Sequence, residues 1–216
     1  MKLFTFAIIA VMFIGTAAVA AEVPTSAGDK AMVFMFNGFD DLGLGGYGGY
    51  CGIGMRYYIA DMTAIRGGLE FGKSSRVEES DTEGYADWEN NYSVMGLNAV
   101  YEKHMEGPCS SVSPYWGIGA AFALESDEEV WATGPDGETS TRTDKGTGFA
   151  GFGCLGFEWA FSNCMTLGGE YQLGFWSSSG ETESDSSDGD RTETYDKYSQ
   201  TFMGFDTASV FLSVYW

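Results

Sequence analysis

Residues Thr63–Gly72 have the sequence TAIRGGLEFG, and their alternation is the clearest indication of the fold. One set of alternate positions is mostly apolar and comprises Thr63, Ile65, Gly67, Leu69 and Phe71. The other set carries charges and small residues and comprises Ala64, Arg66, Gly68, Glu70 and Gly72. A period of two places these sets on opposite faces of a β-strand. The segment therefore predicts a strand whose two faces meet different environments.

The same alternation recurs along the chain and predicts seven further strands. They fall at 31–37, 47–58, 91–102, 115–125, 147–158, 165–175 and 207–216. Each is expected to be about 7 to 12 residues long, and the total of eight is even, as in single-chain bacterial barrels.

The lengths of the predicted connections alternate as well. Short links occur at 59–62, 104–112 and 160–164, whereas long links occur at 74–90, 126–145 and 177–197, with a shorter one at 38–46. Short turns on one rim and long loops on the other are typical of outer-membrane barrels. We therefore predict an all-β fold, an eight-stranded antiparallel up-and-down transmembrane β-barrel with short periplasmic turns and long acidic extracellular loops.

The amino terminus predicts export. Residues 1–21 combine a positive Lys2, an apolar stretch and small residues, which is typical of a signal peptide cleaved after Ala20 or Ala21. The apolar stretch of about a dozen residues is too short to span a bilayer as a helix. The barrel domain is then expected to cover residues 22–216.

Composition excludes some functions and concentrates charge in the loops. The chain has 31 acidic and 11 basic residues, so it lacks the basic surface that nucleic-acid binding requires. Of the acidic residues, 21 fall in the three long predicted loops and at Asp40–Asp41. A solvated surface is one interpretation; divalent cations bridging to lipopolysaccharide phosphates are another, although Asp185, Asp188 and Asp190 lack EF-hand spacing.

The chain resembles the small bacterial outer-membrane β-barrel family of opacity-protein and OmpA/OmpX type. The residues that carry the resemblance are 49–54 with Arg56-Tyr57-Tyr58, the turn 59–62, the stretch 64–71 and the terminal VFLSVYW. The resemblance implies an assembly signal at Val210, Leu212, Val214 and Trp216, which the barrel-assembly machinery reads. That family usually ends in Phe, and this chain ends in Trp. It also implies contact with outer-membrane lipid and lipopolysaccharide.

Charged residues share one parity and are expected inside the barrel. They are Arg56, Arg66, Glu70, Glu102, Glu158 and Glu170, accompanied by Asn98 and Gln172. Arg56, Arg66, Glu70, Glu158 and Glu170 are predicted to form a charge network in a lumen barely wide enough for side chains. A packed salt-bridge plug and a gated ion path are the two interpretations, and the plug is favoured because buried charges persist mainly when paired.

The residue inventory does not favour catalysis, a metal or a cofactor. The only histidine, His104, falls in a predicted short turn on the periplasmic side, away from any serine that it could activate. Cys109 and Cys164 fall in two short turns on the same rim, and we hypothesise a disulfide between them. Free thiols are the alternative.

Three functions follow from these expectations. The first is a non-enzymatic, monomeric outer-membrane protein with a structural or cell-surface interaction role through its acidic loops. The second is porin-like transport of small solutes or hydrophobic compounds. The third is a soluble secreted ligand-binding β-barrel, whose polar and apolar faces would be reversed.

Overall fold

The computed structural model describes residues 21–37, 51–78, 88–132, 139–186 and 196–216, and within them the chain forms eight strands. The strands are β1 (Lys30–Asn37), β2 (Cys51–Ala60), β3 (Thr63–Glu78), β4 (Trp88–His104), β5 (Val112–Ala132), β6 (Thr139–Ser162), β7 (Met165–Ser186) and β8 (Asp196–Tyr215). Each pairs antiparallel with its neighbours in sequence, and β1 pairs with β8 to close the ring. The predicted all-β, eight-stranded antiparallel barrel is confirmed.

Several predicted features lie outside the described residues. They include nearly all of the signal peptide, the link at 38–46, the start of the second predicted strand, and the central parts of the three long loops. Among the residues that the structure does describe, no helix is long and apolar enough to cross a membrane.

The predicted strand lengths were too short for β3 to β8, whereas β1 and β2, with 8 and 10 residues, fall within the predicted range. Strands β5, β6 and β7 contain 21, 24 and 22 residues, and the β5–β6 pairing continues up to Ala132 opposite Thr139. Much of the predicted loops at 126–145 and 177–197 is therefore strand. The threonines and serines there favour or tolerate extended backbone, while the apolar alternation that marks the lower part of each strand is lost.

This correction also moves acidic residues from loops to strands. Of the 21 acidic residues assigned to loops, ten lie on the strands: Glu78, Glu89, Asp127, Glu128, Glu129, Asp144, Glu181, Glu183, Asp185 and Asp196.

The outer wall of the barrel carries a continuous apolar surface, which we call the apolar belt. Its exposed large side chains are Met32, Phe36, Ile53, Met55, Tyr57, Ile65, Leu69, Phe71, Met95, Leu97, Tyr101, Trp116, Ile118, Phe122, Leu124, Phe149, Leu155, Phe157, Tyr171, Leu173, Phe175, Met203 and Trp216. The charged side chains of the opposite parity are buried, with Arg56, Glu102 and Glu158 all 0% exposed. The wall is thus apolar outside and ionic inside.

The belt has a sharp upper limit. On β3 to β8 the first polar side chains of outward parity above it are Lys73, Ser93, Ser126, Thr147, Ser177 and Thr201. Beyond this limit the strands continue as a sheet of hydroxyl and charged residues, which we call the polar extension. At the opposite, short-turn end, Tyr57, Tyr101, Trp116, Phe157 and Trp216 lie exposed on the wall.

The segment 21–29 lies across the short-turn end of the barrel. Its Val23 amide donates to the Ser110 carbonyl, and its Thr25 carbonyl accepts from the Met62 amide. Ala21 and Val23 pack against the buried Ala160 near the end of β6. The segment therefore links the β2–β3 and β4–β5 turns and covers part of this opening.

Candidate functional site

The centre of the barrel interior is an ion cluster built around two arginines. Arg56 on β2 and Arg66 on β3 are directly opposite each other in the ladder. Glu102 on β4 bridges them: its Oε2 lies 2.6 Å from Arg56 Nε, and its Oε1 lies 2.7 Å from Arg66 Nε. One carboxylate thereby compensates two like charges that the strand register forces together.

Two further carboxylates approach from the opposite wall. Glu158 on β6 lies 2.5 Å from Arg56 Nη1, and Glu170 on β7 lies 2.5 Å from Arg66 Nη2. The pairing therefore joins β6 and β7 across the lumen to β2 and β3 through charge-assisted hydrogen bonds, which are the stronger kind.

Hydroxyl groups donate the remaining hydrogen bonds to Glu158. Thr166 and Ser213 donate to its Oε1 at 2.9 and 3.0 Å, and the Tyr215 hydroxyl donates to its Oε2 at 3.1 Å. The Tyr115 hydroxyl donates to Glu170 at 2.7 Å. These buried carboxylates are thus satisfied by several donors each, as a charge in a dry interior requires.

Aromatic rings fill the space beside the arginines. The Arg56 guanidinium lies 5.4 Å from the Phe211 ring and 5.8 Å from the Tyr115 ring, and Arg66 lies 5.8 Å from Phe211. These distances fall within the range of cation–π attraction. Phe211 also belongs to an interior apolar cluster with Val33, Met35, Val100, Tyr115 and Cys154. The interior is therefore both ionic and aromatic, whereas only its charged and amide residues were predicted from the sequence.

His104 does not lie in a turn, contrary to the prediction. It is the last residue of β4, its side chain is buried, and its ring stacks on Tyr115 with centroids 5.0 Å apart. Its Nδ1 lies 3.0 Å from the Ser113 hydroxyl and its Nε2 lies 3.2 Å from the Tyr58 hydroxyl. The prediction was wrong because β4 is two residues longer than the apolar alternation indicated, so parity carries His104 inward beside Glu102.

Glu70 lies at the edge of the arginine cluster. It accepts a hydrogen bond from the Asn98 amide, while Gln172 donates to Glu170 at 2.8 Å. Together with Glu102 and Glu158, four carboxylates thus lie in or beside the cluster of the two guanidiniums. The structure thus brings Arg56, Arg66, Glu158 and Glu170 into direct contact and places Glu70 at their edge.

Sequence reasoning missed the bridging position of Glu102 and the interior aromatic residues. The parity was visible: Tyr58 shares it with Arg56, and Tyr115 precedes Gly117 and Gly119 on the same face. The sequence does not show how the inward side chains of neighbouring strands are placed, and therefore not that Glu102 on β4 contacts both arginines.

The polar extension has its own contacts. The Asn90 amide donates to Asp127 at 2.7 Å, and Arg142 pairs with Asp144 at 3.0 Å. Partial burial, together with the Asp144 and Glu125 carboxylates, raises the pKa of the Tyr198 hydroxyl. Within the described ranges, no group of three or more His, Cys, Asp or Glu residues is arranged to hold a metal ion.

The hypothesised disulfide is absent from the structure. All four cysteines are free, and Cys109 and Cys164 are exposed. Each contacts a serine two residues away in its own turn, Cys109 with Ser111 at 3.2 Å and Cys164 with Ser162 at 3.7 Å. The two thiols belong to different hairpins, so sharing a rim does not pair them.

The carboxyl-terminal residues follow the predicted parity. Val210, Leu212 and Val214 are partly exposed and Trp216 is exposed, whereas the intervening Phe211 and Ser213 are buried. The last strand therefore presents its apolar alternate residues to the outside of the barrel.

No family model matches the chain, and no curated protein matches it. A solved structure, that of a major outer membrane protein from Thermus thermophilus, is similar at 11% sequence identity with a TM-score of 0.49; the match covers 87% of this chain and 99% of that chain.

Proposed function

We propose that this chain is a non-enzymatic outer-membrane β-barrel with a closed interior, which presents its polar extension at the cell surface. The observation that carries the proposal is the arrangement of the barrel wall, which is apolar outside and charged inside. Large apolar side chains such as Leu155, 69% exposed, and Met95, 63% exposed, lie outside, while Arg56, Arg66 and Glu102 are buried. A closed barrel has no free strand edge, so all of its backbone groups can form hydrogen bonds between strands in lipid. Its apolar exterior contacts the lipid, and its charged side chains pair inside.

The dimensions of the belt support the same proposal. On β5 the outward residues run from Trp116 to Leu124 before Ser126 begins the polar extension. Nine tilted residues at ~3.3 Å each rise roughly 23 Å, close to the ~25 Å apolar band of such barrels. The soluble alternative requires the reverse arrangement, with the charges outside and the apolar residues inside.

Porin-like transport is less consistent with the interior. Arg56, Arg66 and their glutamates occupy the lumen at the level of the belt, and the rings of Tyr115 and Phe211 pack beside them. An eight-stranded barrel encloses only enough space for side chains. We therefore favour a structural or surface-interaction role over conduction.

Topology provides the test. Trypsin added to intact cells should cleave only above the apolar belt, in the polar extension with its Arg142, Lys145 and Lys197 or in the segments that join its strands, all of which lie outside in this proposal. Lys30 and Lys103, near the short-turn end, should be cleaved only after permeabilisation. Recovery of the protein in the soluble periplasmic fraction, without a heat-modifiable gel shift, would overturn the proposal.

A further inference from the structure

A cavity of about 360 Å³ lies at the short-turn end of the barrel, between the segment 21–29 and the β2–β3 and β4–β5 turns. Three of the side chains that line it contain sulfur, those of Met62, Met105 and Cys109. We call these three residues the sulfur cluster. Neither the interior ion cluster nor the structural role proposed above uses them.

The backbone places Met62 beside Met105. Met62 is the second residue of the tight β2–β3 turn, and its carbonyl accepts a hydrogen bond from the His104 amide at 2.8 Å. Met105 follows His104 directly, just beyond the end of β4. Met62 also has a left-handed backbone, with a φ of 59°. Glycine, asparagine or aspartate usually occupies such a turn position, so turn chemistry does not account for a methionine there.

The segment that crosses this end of the barrel connects Met62 to Cys109. Its Thr25 carbonyl accepts from the Met62 amide at 2.8 Å, and its Val23 amide donates to the Ser110 carbonyl at 3.1 Å. Ser110 is next to Cys109 in the sequence. Hydrogen bonds between three separate parts of the chain therefore hold the sulfur-containing residues around one cavity.

The sulfur cluster is accessible and lies outside the apolar belt. Met105 is 44% exposed, Cys109 is exposed and Met62 is half-buried. On β4 the polar Lys103 separates Met105 from Tyr101, the nearest residue of the belt on that strand. Contact with lipid therefore does not account for an exposed methionine at this position.

Two thioethers and one thiolate form a ligand set for a soft metal ion. Such sulfur ligands select copper(I), whereas carboxylates and carbonyls suit harder ions. Glu22 and Glu106 also line the cavity, but within the described ranges they form no group with Cys109 that could hold a metal ion. Methionine side chains are unbranched and flexible, so their sulfur atoms can turn toward an ion beside the thiol.

We propose that the sulfur cluster binds one copper(I) ion in a three-coordinate site, with the Met62 and Met105 thioethers and the Cys109 thiolate as ligands. On binding, the Cys109 thiol releases its proton to water, and the thiolate donates an electron pair to copper, whose oxidation state does not change. The negative charge of the thiolate balances the positive charge of the ion. The Ser111 hydroxyl, 3.2 Å from the Cys109 sulfur, can donate a hydrogen bond to the thiolate.

Competition for copper(I) tests the site. The purified, reduced full-length protein is titrated without oxygen into the copper(I) complex of bicinchoninate, and the absorbance lost by that complex measures the copper transferred. We expect the parent to take one ion per chain. Met62→Leu/Met105→Leu nearly keeps the side-chain volume but removes both thioethers, and should lower the affinity by more than about tenfold, since groups behind metal ligands already contribute that much. Equal affinities of the M62L/M105L and parent proteins would overturn the proposal.

The matched control is Met95→Leu/Met203→Leu, which removes two methionines from the apolar belt that are 63% and 81% exposed. Its affinity for copper(I) should equal that of the parent. An equal loss in M95L/M203L and M62L/M105L would show that methionines bind the ion wherever they are exposed, and the site would be rejected. Cys109→Ser gives an independent test, because loss of the thiolate should abolish the transfer, and unchanged transfer to C109S contradicts the proposal.

The two exposed turn thiols provide an internal comparison. In the Cys51→Ser/Cys154→Ser variant only Cys109 and Cys164 remain to react with a maleimide. Copper(I) should slow the labelling of Cys109, measured by mass spectrometry of its peptide, and should leave Cys164 unchanged because that residue lies outside the cavity. Equal protection of both thiols, or protection of Cys109 that persists after M62L/M105L is added, would also overturn the proposal.

A heat-modifiable gel shift, recorded for every variant in detergent, shows which proteins are folded barrels and can be compared. Because copper transfer is measured on purified protein, its outcome does not depend on the proposed membrane location. Recovery of the protein in the soluble periplasmic fraction contradicts the proposed function alone, whereas folded M62L/M105L and C109S proteins that take copper as the parent does contradict the sulfur site alone.

Discussion

Arg56 and Arg66 face each other directly across the β2–β3 ladder, inside the barrel, with both side chains almost fully buried. Two like charges at this spacing repel, so their burial depends on the carboxylate between them. Glu102 contacts both, and Glu158 and Glu170 each contact one. These five charged side chains are therefore stable in the interior only together, and removal of one should affect the burial of the others.

Glu102→Gln should be strongly destabilising because it leaves two opposed arginines without their shared counter-ion. Breaking a buried ion pair typically costs about 3–5 kcal/mol. Urea unfolding in detergent, followed by the gel shift, measures the loss. Glu181→Gln is the control, since its pair with Lys197 is exposed and should change the unfolding free energy by less than about 1 kcal/mol. Similar stabilities for E102Q and E181Q would contradict a central role for Glu102.

Planar-bilayer recordings should show little or no stable conductance for the parent protein, because the ion cluster and the adjacent rings fill the lumen. Arg66→Ala removes a side chain that contacts Glu102 and Glu170 and should open a water-accessible gap beside them. We expect short, cation-selective openings in R66A, since the remaining carboxylates are then in excess. Large steady channels in the parent would contradict the plug and favour transport.

The fold could be predicted from the sequence more completely than the candidate site. Alternation at 63–72 predicted a strand, and its recurrence predicted the ring, because period two with one apolar face is a local property. The upper halves of β5 to β7 were missed because residues such as Thr141, Thr143 and Ser179 pair as strands without an apolar face. There hydrogen bonding to the neighbouring strand, rather than burial, maintains the extended backbone.

The site was only partly predictable for a related reason. Parity alone placed Arg56, Arg66, Glu158 and Glu170 inside, but which carboxylate reaches which guanidinium depends on the shear of the closed ring. The same closure brings Tyr115 and Phe211 together from β5 and β8. His104 was misplaced because one turn boundary was set two residues early, and a shift of that kind changes which groups a side chain meets.

Interior glycines should be intolerant where rings approach them. A Cβ atom at Gly168 would lie 2.1 Å from the Phe211 ring, whereas a Cβ at Gly153 would have nothing closer than 3.8 Å. Gly168→Ala must displace Phe211 from the arginines and should cost about 1–3 kcal/mol. Gly153→Ala should be nearly neutral by the same unfolding measurement. Equal effects of G168A and G153A would contradict the packing described for Phe211.

Thiol labelling tests both the topology and the hypothesised Cys109–Cys164 disulfide. Cys109 and Cys164 are exposed in turns at the short-turn end, so a membrane-impermeant maleimide should label them only after permeabilisation of the cells. The Cys51→Ser/Cys154→Ser variant restricts the signal to these two positions. Two labels per chain on unreduced, denatured protein support free thiols. Absence of label until a reductant is added would reinstate the Cys109–Cys164 disulfide.

Deletion of Trp216 should separate assembly from stability. The side chain is 64% exposed at the end of the last strand, so it contributes little to the packed interior. If Val210, Leu212, Val214 and Trp216 form the signal read by the assembly machinery, the deletion lowers the amount of heat-modifiable barrel in cells while the protein refolds in detergent micelles as the parent does. Trp216→Phe keeps an aromatic terminus and should restore assembly. Loss of refolding in micelles would show that Trp216 acts in the folded barrel itself, and normal assembly of the deletion in cells would contradict the signal.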